Sequence, residues 1–275
     1  MERSLIDLGT RPLGHTVPSA ELDADRMDYL VEALGIVELP VVLDVFPRFD
    51  GAAERAAALR RGYDGLDHDG LLPDGRVHPD LEMWLRVLDR PRWFIAARLI
   101  SRPFTSDSSM TRIALASNES GSVLAVASGG WLRLRASVGD PAQELLDALG
   151  VRRPFEFHGI AAETDLLAEA LDGAPTDRVA TSARLSHIGI EDSAAADVAA
   201  AMSTCSAHAE ITSVTVGSGV RTVGKNPVAF FDTRRGRIVA TSSMAADGRQ
   251  WTSLSPGSDG RVRSAIEELI AGAGG

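Results

Sequence analysis

The hydrophobic period of this chain changes twice, and both times in the same direction. In the first third, apolar residues recur at helical spacing. Met27, Leu30, Val31 and Leu34 fall at i, i+3, i+4 and i+7, and the stripe stops at Gly35. Residues 50–63 are rich in alanine and arginine with no breaker before Gly62. Pro79-Asp80 opens a further helix with Leu81, Trp84, Leu85 and Leu88 on one face, stopped by Pro91. The period then drops to two. Residues 93–101, 111–117, 122–128 and 131–136 are short apolar or alternating runs, separated by the hairpin signals Asn118-Glu-Ser-Gly121 and Gly129-Gly130. In the last run Leu132, Leu134 and Ala136 share one side and Trp131, Arg133 and Arg135 the other, the pattern of a half-solvated antiparallel sheet. A helix follows, with Asp140 at its N-cap, Pro141 at its first position and Gly150 past its end.

The second half runs through the same order. Residues 161–172, 176–188 and 192–204 read as helices, and 209–217, 227–232, 237–243 and 250–254 as strands. A last helix over 261–270 carries Val262, Ile266, Leu269 and Ile270 on one face. Gly121 and Gly236, 115 residues apart, precede the third strand of each set. Trp131 and Trp251, 120 apart, sit in the fourth. The expected fold is therefore α+β: a single domain of two quasi-symmetric halves, about 1–150 and 151–275, sharing a central antiparallel β-sheet flanked by helices.

Charge and cysteine content narrow the functions. The formal net charge of −10 repels phosphate backbones, and the basic residues are scattered singly or in pairs, so no nucleic-acid role is expected. The single cysteine, Cys205, has no internal partner for a disulfide. No apolar run reaches the ~20 residues of a membrane helix, and the N-terminal residues lack the apolar core of a signal peptide. A cytoplasmic protein without membrane insertion is expected. One lysine beside 27 arginines, with abundant alanine and glycine, marks a GC-rich, actinobacterial-type source.

Motifs that carry chemistry come close and fail. Gly219-Val-Arg-Thr-Val-Gly224-Lys225-Asn226 has phosphate-loop spacing, but Asn226 stands where a Mg²⁺-binding hydroxyl belongs, and Pro227 and a strand follow instead of a helix. It reads as a hairpin loop. The acidic stretch from Asp64 to Gly70 misses both end ligands of a calcium loop and reads as a polar connection between helices. The six histidines have no zinc spacing, and Cys205 with His208 lacks a third orienting group. No metal or cofactor is expected. What remains is surface: the loop from Arg102 to Met110 carries Phe104 and Met110 among polar residues, side chains suited to anchoring a partner or to capping the sheet.

Taken in order, four segments resemble the EspG family of ESX (type VII) secretion-associated proteins. They are Leu34-Gly35 with Glu38-Leu39-Pro40; Gly70-Leu-Leu-Pro-Asp74-Gly75 leading into Trp84-Leu85 and Arg90-Pro91; Val123-Leu-Ala-Val126 with its hairpin and the helix after Asp140-Pro141; and Phe231-Asp232-Thr233 through Gly236-Arg237 to Trp251-Thr-Ser253 and Pro256-Gly257. The resemblance implies a non-enzymatic cytosolic chaperone and specificity factor. It would bind the apolar tip of a PE–PPE heterodimer, or of a related helical ESX substrate, and keep it soluble for export; it also admits a homodimer. An exposed apolar tip is an aggregation hazard that a folded partner would cover. The family's contact surface maps onto residues 101–110, onto 220–231 and onto the helices between 161 and 204. Arg102, Pro103, Phe104, Thr105, Met110, Arg112, Val220, Arg221, Val223, Asn226 and Phe230 are the expected contact residues.

Read from the residues alone, two other classes stay open. An enzyme with Lys225 or His208 as its reactive group would show titratable side chains converging in a concave pocket. A ligand-sensing domain would show a closed apolar pocket of several hundred cubic ångströms.

Overall fold

The structure is a computed structural model, and it describes residues 16–46, 48–103, 109–174 and 176–274. Its first half comprises β1 (Ala20–Leu22), α1 (Ala24–Leu34), α2 (Ala52–His68), α3 (Pro79–Asp89), β2 (Trp93–Ser101), β3 (Met110–Asn118), β4 (Gly121–Ser128), β5 (Trp131–Ala136) and α4 (Pro141–Leu149). The second comprises β6 (Ile160–Glu163), α5 (Thr164–Leu171), α6 (Arg178–His187), α7 (Asp192–Met202), β7 (Cys205–Gly217), β8 (Val220–Val223), β9 (Val228–Thr233), β10 (Gly236–Met244), β11 (Gln250–Pro256) and α8 (Asp259–Gly274). All ladders between these strands are antiparallel, in the order β1-β5-β4-β3-β2-β7-β9-β10-β11-β6, with β8 on β7. That order reads alike from either end: each half contributes an edge strand, three helices, a four-stranded meander and a closing helix.

Local chemistry explains most boundaries. Asp23 caps α1 by accepting from the Arg26 N–H at 2.8 Å, and Gly35 ends it in the left-handed conformation at φ 59°. Asp140 caps α4 through the amides of Ala142 and Gln143. The hairpins at Gly129-Gly130 and Ser218-Gly219 place both turn residues at positive φ, as two-residue turns with the twist of flanking strands demand.

Four expectations need correcting. α2 continues through Gly62 and Gly65 and takes in most of the acidic stretch, so Asp64 to His68 is helix, not connection. The glycines survive inside it because α1 crosses there: a Cβ on Gly62 would overlap the Asp25 carbonyl, and one on Gly65 would lie 2.8 Å from the Arg26 guanidinium carbon. Residues 160–163 form β6 on the edge of β11 before α5 begins. β1 on the opposite edge was not expected at all. The phosphate-loop lookalike is divided: residues 220–223 form β8, and 224–227 bulge out before the chain continues as β9. Gly224 is required there because a Cβ would overlap the Ser213 hydroxyl.

The sheet divides the core by faces. On one face α4 and α8 cover the middle strands, with Leu145, Leu146, Val262, Ile266 and Leu269 against Ile95, Ala97, Ile113, Ile211 and Phe230. On the other face the helices pack outward. α1 and α3 bring Leu30, Leu81, Trp84 and Leu88 onto Ala114, Val123, Ala125 and Leu134 of the first half. α5 and α7 bring Leu167, Val198 and Met202 onto Ile238, Ala240 and Leu254 of the second.

Arg237 is the one arginine fully buried among the described residues. Its Nε and Nη2 donate to Asp232 at 2.7 and 2.9 Å, and its guanidinium lies 3.8 Å from the Phe230 ring centroid. Around it the backbone is crowded enough to exclude side chains: a Cβ at Gly236 would sit 2.5 Å from the Pro154 carbonyl, and one at Gly257 2.5 Å from Arg237 Cγ. Arg237→Ala leaves the buried Asp232 carboxylate with the exposed Arg152, 3.8 Å away, as its ion-pair partner and is expected to cost ~3–5 kcal/mol in chemical denaturation. A loss below about 1 kcal/mol would mean that the pair is not structural.

Candidate partner-binding surface

Because the helices pack outward, the central strands β2 and β7 are left without a helix on one face. Side chains alternate, so Phe94, Ala96, Arg98 and Ile100 of β2 share this face with His208, Glu210, Thr212 and Val214 of β7; Phe94 and Val214 are buried against the first half's core, and the rest are open. β3 adds Met110 and Arg112, and β8 adds Arg221 and Val223. Phe94, Ala96, Arg98, Glu210, Thr212 and Val223 line a groove of about 300 Å³, walled by Val41 and Val42.

Two ion pairs fix that wall. Arg112 Nη2 lies 2.9 Å from Asp44 Oδ2, and Arg221 Nη1 lies 2.6 Å from Glu38 Oε1 while its guanidinium sits 5.9 Å from the Phe94 ring centroid. Val37, Val41, Val220 and Val223, all more than half exposed, stand around the Arg221–Glu38 pair. At the other end of the groove the half-buried His208 stacks on Phe231, with ring centroids 6.4 Å apart.

The expected contact residues are distributed unevenly over this geometry. Met110, Arg112, Arg221 and Val223 lie on the open face. Arg102 and Pro103 are exposed just beyond the end of β2, Asn226 is exposed in the bulge, and Val220 is exposed but points to the opposite side of the ribbon. Phe230 is a correction: it is fully buried under α8, because pairing opposite Ala209 turns it to the covered face and leaves its neighbour Phe231 on the open one. Phe104 and Thr105 lie outside the described residues. The groove also takes in Ala96, Arg98, Glu210 and Thr212, which the sequence did not single out. Their signal was the alternation of β2 and β7, which shows two faces without showing which one lacks a helix.

The reactive-group candidates do not converge. Lys225 is exposed in the bulge beside Ser213, whereas His208 lies five residues further along β7, ~16 Å away at strand rise. Cys205 donates to the Ala207 carbonyl at 3.2 Å, and burial pushes its thiol above the usual range, the opposite of an activated thiolate. Among the described residues no three His, Cys, Asp or Glu side chains group as metal ligands. A cavity of about 720 Å³ among them has the charged Asp23, Asp44, Arg48 and Arg112 in its lining beside Leu22, Met27 and Phe46. No helix among them is long and apolar enough to cross a membrane.

The sheet thus carries helices on both faces and leaves one open stretch over its central strands. The profile of the EspG family matches residues 23–268, and the chain belongs to that family. It is 27% identical over 276 residues to the ESX-3 secretion-associated protein EspG3 of Mycobacterium tuberculosis, covering 93% of this chain and 92% of that protein. To the EspG3 of Mycolicibacterium smegmatis it is 25% identical over 262 residues, covering 92% and 86%. Among solved structures, the M. tuberculosis type VII secretion system chaperone EspG5, in complex with the PE25–PPE41 dimer, superposes with a TM-score of 0.74. Identity there is 16%, over 92% of this chain and 95% of that one, so the likeness speaks for the fold.

Burial lowers the pKa of His208, and the nearby Arg102 charge acts in the same sense, while Glu210 opposes it. A depressed base favours the folded state only while neutral, so this residue's contribution is present above the unfolded value near 6.5 and is lost as pH falls through it. His208→Gln should therefore flatten the loss of stability between about pH 7 and 5, measured by denaturation at each pH. An unchanged slope would place His208 in contact with water.

Proposed function

We propose that this protein is a cytoplasmic chaperone and specificity factor of type VII (ESX) secretion. It acts by binding rather than catalysis, holding the apolar tip of a PE–PPE heterodimer, or of a related helical substrate, in soluble form until export. The observation that carries the reading is the open face of β2 and β7, a groove with apolar walls and a polar floor on a chain of the EspG family. The bare face suits a helical tip: the groove accepts apolar side chains between Phe94, Val41 and Val223, while the arginines at its margins contact polar groups at the rim. The structure of EspG5 with its PE25–PPE41 dimer supports the class of client.

In this reading Arg102, Pro103, Met110, Arg112, Val220, Arg221, Val223 and Asn226 contact the client, together with Ala96 and Thr212. The matching strand orders favour two halves, about 1–150 and 151–275, derived from one duplicated unit whose junction is the groove floor.

Co-expression with the PE–PPE pair of its own genome should yield a stable stoichiometric complex on gel filtration. Thr212→Trp, which fills the groove from a half-buried position, should weaken that complex at least about tenfold while leaving the melting temperature within a few degrees. Full affinity in this variant would move the interface away from the central strands.

A further inference from the structure

The open face carries an imbalance of charge that the chain as a whole does not. Among the described residues of its central strands β2, β3, β7, β8 and β9, the charged side chains on this face are Arg98, Arg112 and Arg221 against Glu210 alone, on a protein of net charge −10. Arg112 and Arg221 are each tied to a rim carboxylate, Asp44 and Glu38. Arg98 is not. It is exposed at the centre of the groove, and in register it stands directly opposite Arg112 on one neighbouring strand and Glu210 on the other. Two like charges facing each other across an antiparallel ladder are unfavourable. Arg102, just beyond the end of β2, adds a further positive charge at the His208 end of the groove, where its field also helps to keep His208 neutral.

We infer that Arg98 is a client-selecting residue: it receives a carboxylate, an Asp or Glu placed beside the apolar side chains of the helical tip. This rests on the proposed function above and adds the polar half of what that face recognises. A carboxylate held against Arg98 offsets its repulsion with Arg112 and accepts paired N–H bonds from the planar guanidinium, a geometry lysine would not reproduce. Glu210, on the far side of Arg98, disfavours the anion and sets how strongly it binds. Clients whose tips carry no acid would bind through apolar contact alone and be outcompeted.

The test is affinity of the co-expressed PE–PPE dimer for four proteins at low and high salt: the unmodified chain, Arg98→Met, Arg98→Glu and Glu210→Gln, each checked for an unchanged melting curve. Arg98→Met keeps the apolar stem and should bind about tenfold more weakly, Arg98→Glu about a hundredfold, with both gaps shrinking in high salt. Glu210→Gln should bind more tightly than the unmodified chain, with that gain also shrinking in high salt. If both Arg98 variants bind normally, or if Glu210→Gln weakens binding because the client offers a cation, the inference is wrong and the docking face stands. If the unmodified chain fails to bind the dimer, the proposed function and this inference fall together.

Discussion

The pairing of β2 with β7 is the constraint on which the rest of the molecule depends. Residues 93–101 run antiparallel to 207–215, nine register pairs in the middle of the strand order, and this is the ladder that joins the two meanders. Its covered face is dry: Ile95, Ala97 and Ile211 are fully buried beneath α8. Hydrophobic burial on that side holds the junction together, so the opposite side need not be apolar throughout to be stable. The three helices of each half follow their own edge strand and pack over their own meander. The first half's core buries Phe94 and Val214 at one end of the junction, neither set covers the stretch from Ala96 to Ile100, and that open stretch results from the connectivity itself.

The ion pairs around that face orient more than they stabilise. Arg112–Asp44 and Arg221–Glu38 are partly solvated, and pairs of this kind contribute little to folding. What they do is hold the segment containing Val41 and Val42 against the central strands, which gives the groove one wall. Arg237 with Asp232 is the opposite case. Buried, bidentate and stacked on Phe230, it fixes the second half's meander against the Pro154 crossing, where Gly236 and Gly257 leave room for nothing larger.

Much of this architecture is legible in the residues. The switch from helical to two-residue spacing marks both meanders, and Asp140, Gly35 and Gly150 mark helix ends. Strands of three and four residues were not legible, since β1 and β6 are too short to show alternation and exist because β5 and β11 offer them an edge. Gly62 and Gly65 looked like helix breakers because the close approach of α1 is a tertiary fact. The same holds for the site. Residues 101–103, 109–110 and 220–231 border the open face, but which of Phe230 and Phe231 lies on it depends on the register with β7, and no local pattern encodes that. Arg98 and Thr212 were invisible for a related reason: a half-polar strand looks the same whether its polar face meets water or a partner.

The central claim is that the bare face of the β2–β7 junction is where a client docks. Its most direct test is site-specific photo-crosslinking of the protein with its PE–PPE dimer, with the reactive side chain placed at Ala96 on the open face or at Arg133 near β1, on the other face of the sheet. The account predicts a covalent product with the dimer from position 96 and none from position 133. Crosslinks from position 133 with none from position 96 would contradict it.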